Sequence, residues 1–222
     1  MTLGFRLAAA TGLHKGDRPY QQDQVLMTAR QLFTRYHPDR DSSTAVLRQL
    51  LEDAHTVIKL TALSSEQEPH STLAAFLMNP KGDCAWIHAG DSRIYHFQDG
   101  ELVTRTRDHS YVQVLVDRGE ISEAEANVHP KGNILLGCLG MTTTPPPVEP
   151  HYIPAMQPGD LLMACSDGLW HYFSPEELAS VLYAEPPREA VEILVGEARR
   201  RARGTGDNIS IVVLKLEALP QD

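Results

Sequence analysis

At 222 residues, with 42% hydrophobic and 22% charged side chains, the chain is long enough for one sizeable domain with its own core. A net charge of −9 and the lack of any basic block argue against nucleic acid or an anionic membrane as the main partner. The 3 cysteines, Cys84, Cys138 and Cys165, are far apart, no Cys-x-x-Cys pair or signal-peptide layout is present, and no apolar run would span a bilayer, so buried free thiols in a cytoplasmic protein are expected.

Phe5 to Thr11 reads as a short strand, and Gly12 to Gln22 is polar and turn-rich. Val25 to Met27 reads as strand and Thr28 to Tyr36 as helix, broken at His37-Pro38-Asp39-Arg40-Asp41. Ser42 or Ser43 can cap the next helix. There Val46, Leu47, Leu50, Leu51, Ala54, Val57 and Ile58 share a face opposite Arg48, Glu52, Asp53 and Lys59. From Thr72 to Val103, short apolar runs separated by turn residues at 79–83 and Asp99-Gly100 predict an antiparallel meander.

Ser110 to Asp117 and Ser122 to Asn127 read as helices, and Pro145-Pro146-Pro147 as a stiff loop. Strands are expected at Val148 to Ile153 and Asp160 to Cys165. Ser174-Pro175-Glu176-Glu177 combines a cap, a first-position proline and first-turn acids, a strong helix start. A second helix runs from Pro187 to Arg201, and its basic end, Arg199-Arg200-Arg201-Ala202-Arg203, suits the helix dipole. The strand Ile209 to Leu216 closes the chain. The pattern predicts one α+β domain over residues 1–222, antiparallel sheets covered by antiparallel helices.

Three aspartates stand where an apolar run meets a turn: Asp91 after Ala85 to Gly90, Asp167 after Leu161 to Ser166, and Asp207 just before Ile209 to Leu216. Any one of them is ordinary turn chemistry. Together they suit a hard divalent cation, which takes oxygen ligands and keeps several waters.

The segments carrying these aspartates resemble the metal-dependent protein phosphatases of the PPM (type 2C) family. Gly90-Asp91-Ser92-Arg93, Ser166-Asp167-Gly168 and Gly206-Asp207-Asn208-Ile209-Ser210 match three family signatures. Arg18-Pro19-Tyr20-Gln21-Gln22-Asp23 resembles the family's opening Arg-x-x-Asn-Glu-Asp, with the amide and acid positions both drifted to Gln. His70-Ser71-Thr72-Leu73 stands where the family has Gly-Thr-Thr, and Asp108-His109-Ser110 also fits. The resemblance covers nearly the whole chain. It implies a four-layer α-β-β-α sandwich of two antiparallel sheets flanked by antiparallel helix pairs. It also implies hydrolysis of phosphoserine or phosphothreonine by a metal-activated water. On that resemblance, Asp167 and Asp207 would hold a first Mg²⁺ or Mn²⁺, Asp23 would serve a second, and Asp91 with Asp167 would make a weaker third site. Arg18 would grip the substrate phosphate with its fork. The implied substrate is a phosphoprotein, in a kinase–phosphatase signalling pair.

One family element has no counterpart. An Asp-Gly-Met-Gly-Gly or Asp-Gly-His-Gly-Gly turn, whose Asp bridges both metals, belongs between Asp23 and the amphipathic helix. This chain has no glycine between Gly16 and Gly82, and Met27 runs directly into Thr28. The strand and its loop are therefore read as lost in one piece, leaving one sheet a strand short and activity very weak or nil. Asp39 and Asp41, in a polar turn with no preceding buried strand, are poor substitutes. The alternatives are a catalytically inactive member that binds a phosphoprotein or regulator, and a truncated product with no role of its own.

Overall fold

A computed structural model describes residues 5–20, 23, 42–64, 68–79 and 81–219. The strand expected at 25–27, the helix expected at 28–36 and the expected loss between 27 and 28 lie outside the described residues.

In chain order the elements are β1 (Phe5–His14), α1 (Ser43–Ser64), β2 (Leu73–Met78), β3 (Cys84–Ala89), β4 (Arg93–Gln98), β5 (Glu101–Arg105), α2 (Tyr111–Asp117), α3 (Glu123–Asn127), β6 (His151–Ile153), β7 (Asp160–Cys165), α4 (Asp167–Trp170), α5 (Pro175–Ala184), α6 (Pro187–Ala202) and β8 (Ile209–Ala218). Among the described residues all strand pairs are antiparallel, in a five-stranded sheet ordered β1-β8-β7-β4-β5 and a three-stranded sheet ordered β2-β3-β6.

Side-chain alternation along the strands builds three core layers. In β7, Leu161, Met163 and Cys165 face the helix layer formed by Leu178, Leu182 and Leu194 of α5 and α6. Leu162 and Ala164 point the other way, against Cys84 and Trp86 of β3, and fill the space between the sheets. On the far face of β3, Ala85, Ile87 and Ala89 pack under Leu47, Leu50 and Leu51 of α1. The order helix, sheet, sheet, helix is the α+β sandwich expected. The described residues place α5 and α6 on the five-stranded sheet and α1 on the three-stranded one. No described helix is long and apolar enough to cross a membrane.

Local signals account for several boundaries. Ser110 caps α2 through the Gln113 amide, and Ser122/Glu125 and Ser174/Glu177 form capping boxes on α3 and α5. Two arginines of the α6 basic end are paired: Arg201 bridges Glu177 and Glu197 and lies over the Phe173 ring, and Arg200 pairs with Glu197.

Three expectations are corrected, and one element was not foreseen. The meander breaks after β3, because β3 and β4 belong to different sheets and β4 pairs with β5 and β7 instead. The switch occurs at Gly90, whose φ of 100° is a left-handed corner that non-glycine residues disfavour. The strand expected from Val148 forms only at His151–Ile153, since three prolines at 145–147 and Pro150 restrict the backbone before it. Val57, placed with the buried face of the amphipathic helix, is 56% exposed, while His55 takes a buried position. The single-turn α4 goes unsignalled because four residues are too short for helical periodicity to register.

Candidate metal centre

Register explains why the aspartates meet. β7 lies between β4 and β8 and is antiparallel to both, with Arg93 opposite Cys165 and Cys165 opposite Ile211. The end of β7 therefore stands beside the starts of β4 and β8. Asp167 follows the first, Asp91 precedes the second and Asp207 precedes the third. β1 ends at the same edge, with His14 opposite Ile209, so the loop carrying Arg18 leaves from there.

Ser166 is the hub of this edge. Its hydroxyl donates to Asp23 Oδ2 at 3.0 Å and accepts from the Ser210 amide at 2.9 Å. Gly168 is required beside it, because a Cβ there would lie 2.0 Å from the Asn208 carbonyl oxygen. The buried Asn208 donates to the carbonyls of Lys15 at 2.7 Å and Tyr20 at 3.2 Å, stapling the Arg18 loop to the start of β8. Asp17 completes the staple: its amide donates to Gly206 O at 2.9 Å, and its carboxylate accepts from the Gly206 amide at 2.8 Å.

Asp91 sits on the sheet-switching corner, where Ser92 shares a 2.8 Å hydrogen bond with Thr72. Its carbonyl accepts from Trp170 Nε1 at 2.9 Å. Arg93 stacks 3.4 Å over the Trp170 ring and donates both arms of its fork to Asp108 at 2.8 and 2.9 Å. This buried pair ties α4 to the corner. His109 is a fixture of the same corner, its amide donating to Gly90 O at 2.8 Å and its ring accepting from the Gly90 amide at 3.3 Å.

Electrostatics mark the site. Burial, then the charges of Asp91, Asp207 and Asp23, push the Asp167 carboxyl up to about 7. Burial also raises Asp23, partly offset by hydrogen bonds from Ser166 and Ser210. Asp91 is raised by burial and by Asp108. Clustered carboxylates that repel one another favour a proton or a cation in their midst.

All five sequence-predicted residues, Arg18, Asp23, Asp91, Asp167 and Asp207, thus reach one edge of the sandwich. They do not form a finished ligand shell: among the described residues no group of three or more His, Cys, Asp or Glu side chains converges in a metal-holding arrangement. The donor set still fits a hard cation, since every metal candidate is a carboxylate and the charges of Asp91, Asp207 and Asp23 bear on Asp167. At Asp207 a cation already stands in, because Arg18 donates Nε to Oδ1 at 2.9 Å and Nη2 to Oδ2 at 2.5 Å. Sequence reasoning missed the Ser166 hub, the Asp17 staple and the Asp108 partner of Arg93. Asp108 and Ser166 carried a signal, each as part of a matching motif, while Asp17 carried none.

No family model matches the chain. A putative protein phosphatase 2C-type of Streptococcus pyogenes is 35% identical over 139 residues, 60% of this chain and 53% of that protein. The serine/threonine phosphatase stp of Listeria welshimeri is 32% identical over 173 residues, 76% of this chain and 66% of that protein. The alignments thus span about half to two thirds of these relatives. The crystal structure of the Mycobacterium tuberculosis serine/threonine phosphatase PstP superposes with a TM-score of 0.78 at 27% identity, covering 95% of this chain and 99% of that one. The PstP catalytic domain has also been solved in complex with two manganese ions. By sequence and fold together, the chain belongs to the PPM (type 2C) family of bacterial serine/threonine phosphatases.

Proposed function

We propose that residues 1–222 form a single phosphomonoesterase domain with a reduced metal site, acting slowly on phosphoserine or phosphothreonine of a cytoplasmic protein that a partner kinase modifies. The observation carrying this reading is the meeting of four carboxylates and a forked arginine at one edge of the sandwich. Asp167 and Asp207 hold the first cation, Mg²⁺ or Mn²⁺. Asp23, fixed by Ser166, stands beside a second position, and Asp91 with Asp167 offers a weaker third. When bound, the metal supplies Lewis acidity and a water acidic enough to attack near neutral pH. The protein does the rest: Arg18 takes two phosphate oxygens through its fork, and the pinned loops hold the carboxylates in place.

The reduction lies in the chain's lack of the glycine-rich turn that bridges both metals in the family. Without a shared carboxylate, the second position has little beyond Asp23, and turnover falls well below that of a complete family member. Hydrolysis of a phosphothreonine peptide with Mn²⁺ tests this, with Asp167→Asn as the blank. Slow, Mn²⁺-dependent turnover above the blank is expected. Equal rates would leave the second reading, a phosphoprotein- or regulator-binding member without turnover, which the engagement of Arg18 by Asp207 favours.

A further inference from the structure

Arg18 and Asp207 have separate tasks in that reading, one on phosphate and one on a cation. In the structure they are engaged with each other. Both oxygens of the Asp207 carboxylate accept from the Arg18 fork, at 2.9 and 2.5 Å, and Oδ1 also accepts from the Asn208 amide at 2.8 Å. A hard cation needs the same lone pairs. The planar guanidinium lies where that cation would approach, and its charge opposes a second positive charge there.

We propose that Arg18 is a latch. It occupies Asp207 until a divalent cation displaces it, and only the displaced side chain is available to grip a phosphate. Cation loading thereby sets the order of binding. The inference rests on the metal-centre reading above and adds a regulatory step to it.

Three features suit a latch rather than a permanent bridge. The Arg18 side chain is 54% exposed and that of Asp207 36%, so the pair is solvated and cheap to break. The backbone on both sides of Arg18 is pinned to the Asp207 loop, through Asp17 with Gly206 and through Asn208 with Lys15 and Tyr20. Only the side chain has to move. The approach is also built in, because at Gly16, with φ of 62°, a Cβ would lie 1.9 Å from the Asp207 carbonyl oxygen. Any larger residue there would hold the two loops apart.

The test is calorimetric titration of Mn²⁺ alone into the metal-free full chain, comparing wild type, Arg18→Gln and Arg18→Lys. Gln removes the competing charge and fork, and is expected to tighten Mn²⁺ binding about five-fold. Lys keeps the charge but loses the fork, and is expected to tighten it about two-fold. Equal affinity in wild type and Arg18→Gln overturns the latch. Tightening in Gln with Lys identical to wild type also overturns it, since bulk charge rather than the forked contact would be responsible. If none of the three proteins binds Mn²⁺, the metal-centre reading itself falls.

Discussion

Among the described carboxyl groups, Asp167 is the most strongly raised. Its carboxyl is raised from 3.8 to about 7 by burial and by the charges of Asp91, Asp207 and Asp23. Because the folded value exceeds the unfolded one, the group's contribution to stability is fully present below about pH 4 and is lost as pH rises through 7. Four histidines, His14, His88, His109 and His171, are lowered by burial and work in the opposite direction. The difference between wild type and Asp167→Asn isolates the carboxylate. In urea unfolding without metal, Asp167→Asn should gain on wild type between pH 4 and 8, by on the order of a few kcal/mol. A gap that does not change with pH would refute the raised carboxyl. Asp108→Ala acts by a different mechanism. It strands the buried Arg93 guanidinium and should cost about 3–5 kcal/mol in the same measurement. The aspartates were legible in the sequence because each sits in a short motif at a strand end. Ser166 and Asp17 were not, because their roles come from bonds to residues 143 and 189 positions away.

At the scale of elements, strands and caps followed from alternation and from Ser-x-x-Glu patterns, both local signals. Sheet membership did not. The break between β3 and β4 depends on one glycine corner and on which partner β4 finds, a choice that no pattern within the segment encodes. Two glycines give opposing predictions here. Gly168→Ala would press a methyl into the Asn208 carbonyl and part α4 from the loop before β8. It should destabilise the domain by about 1–3 kcal/mol and weaken Mn²⁺ binding, as thermal melts with and without metal would show. Gly196, inside α6, has nothing within 4 Å of an added Cβ. Gly196→Ala should therefore stabilise the domain by about 0.5–1 kcal/mol and leave metal binding unchanged. If both variants behaved alike, close approach at Gly168 would not be what positions Asp167.

For the whole molecule, three stacked cores bring four chain segments to one edge: the turn after β1, the corner after β3, the end of β7 and the turn before β8. That convergence needs no contact between neighbours in sequence, which is why the motifs pointed to a site before any geometry did. The sequence has no glycine between Gly16 and Gly82, and the proposed function takes this as the loss of the family's glycine-rich turn between Asp23 and α1. On that proposal the carboxylate that two metals share is gone, and Asp167 and Asp207 would be left to hold one. Anomalous scattering at the manganese edge from crystals grown with Mn²⁺ decides this most directly. A single strong peak coordinated by Asp167 and Asp207, with Arg18 turned away from Asp207, is the expected result. Two equal peaks sharing a carboxylate, or no peak at this edge, would contradict it.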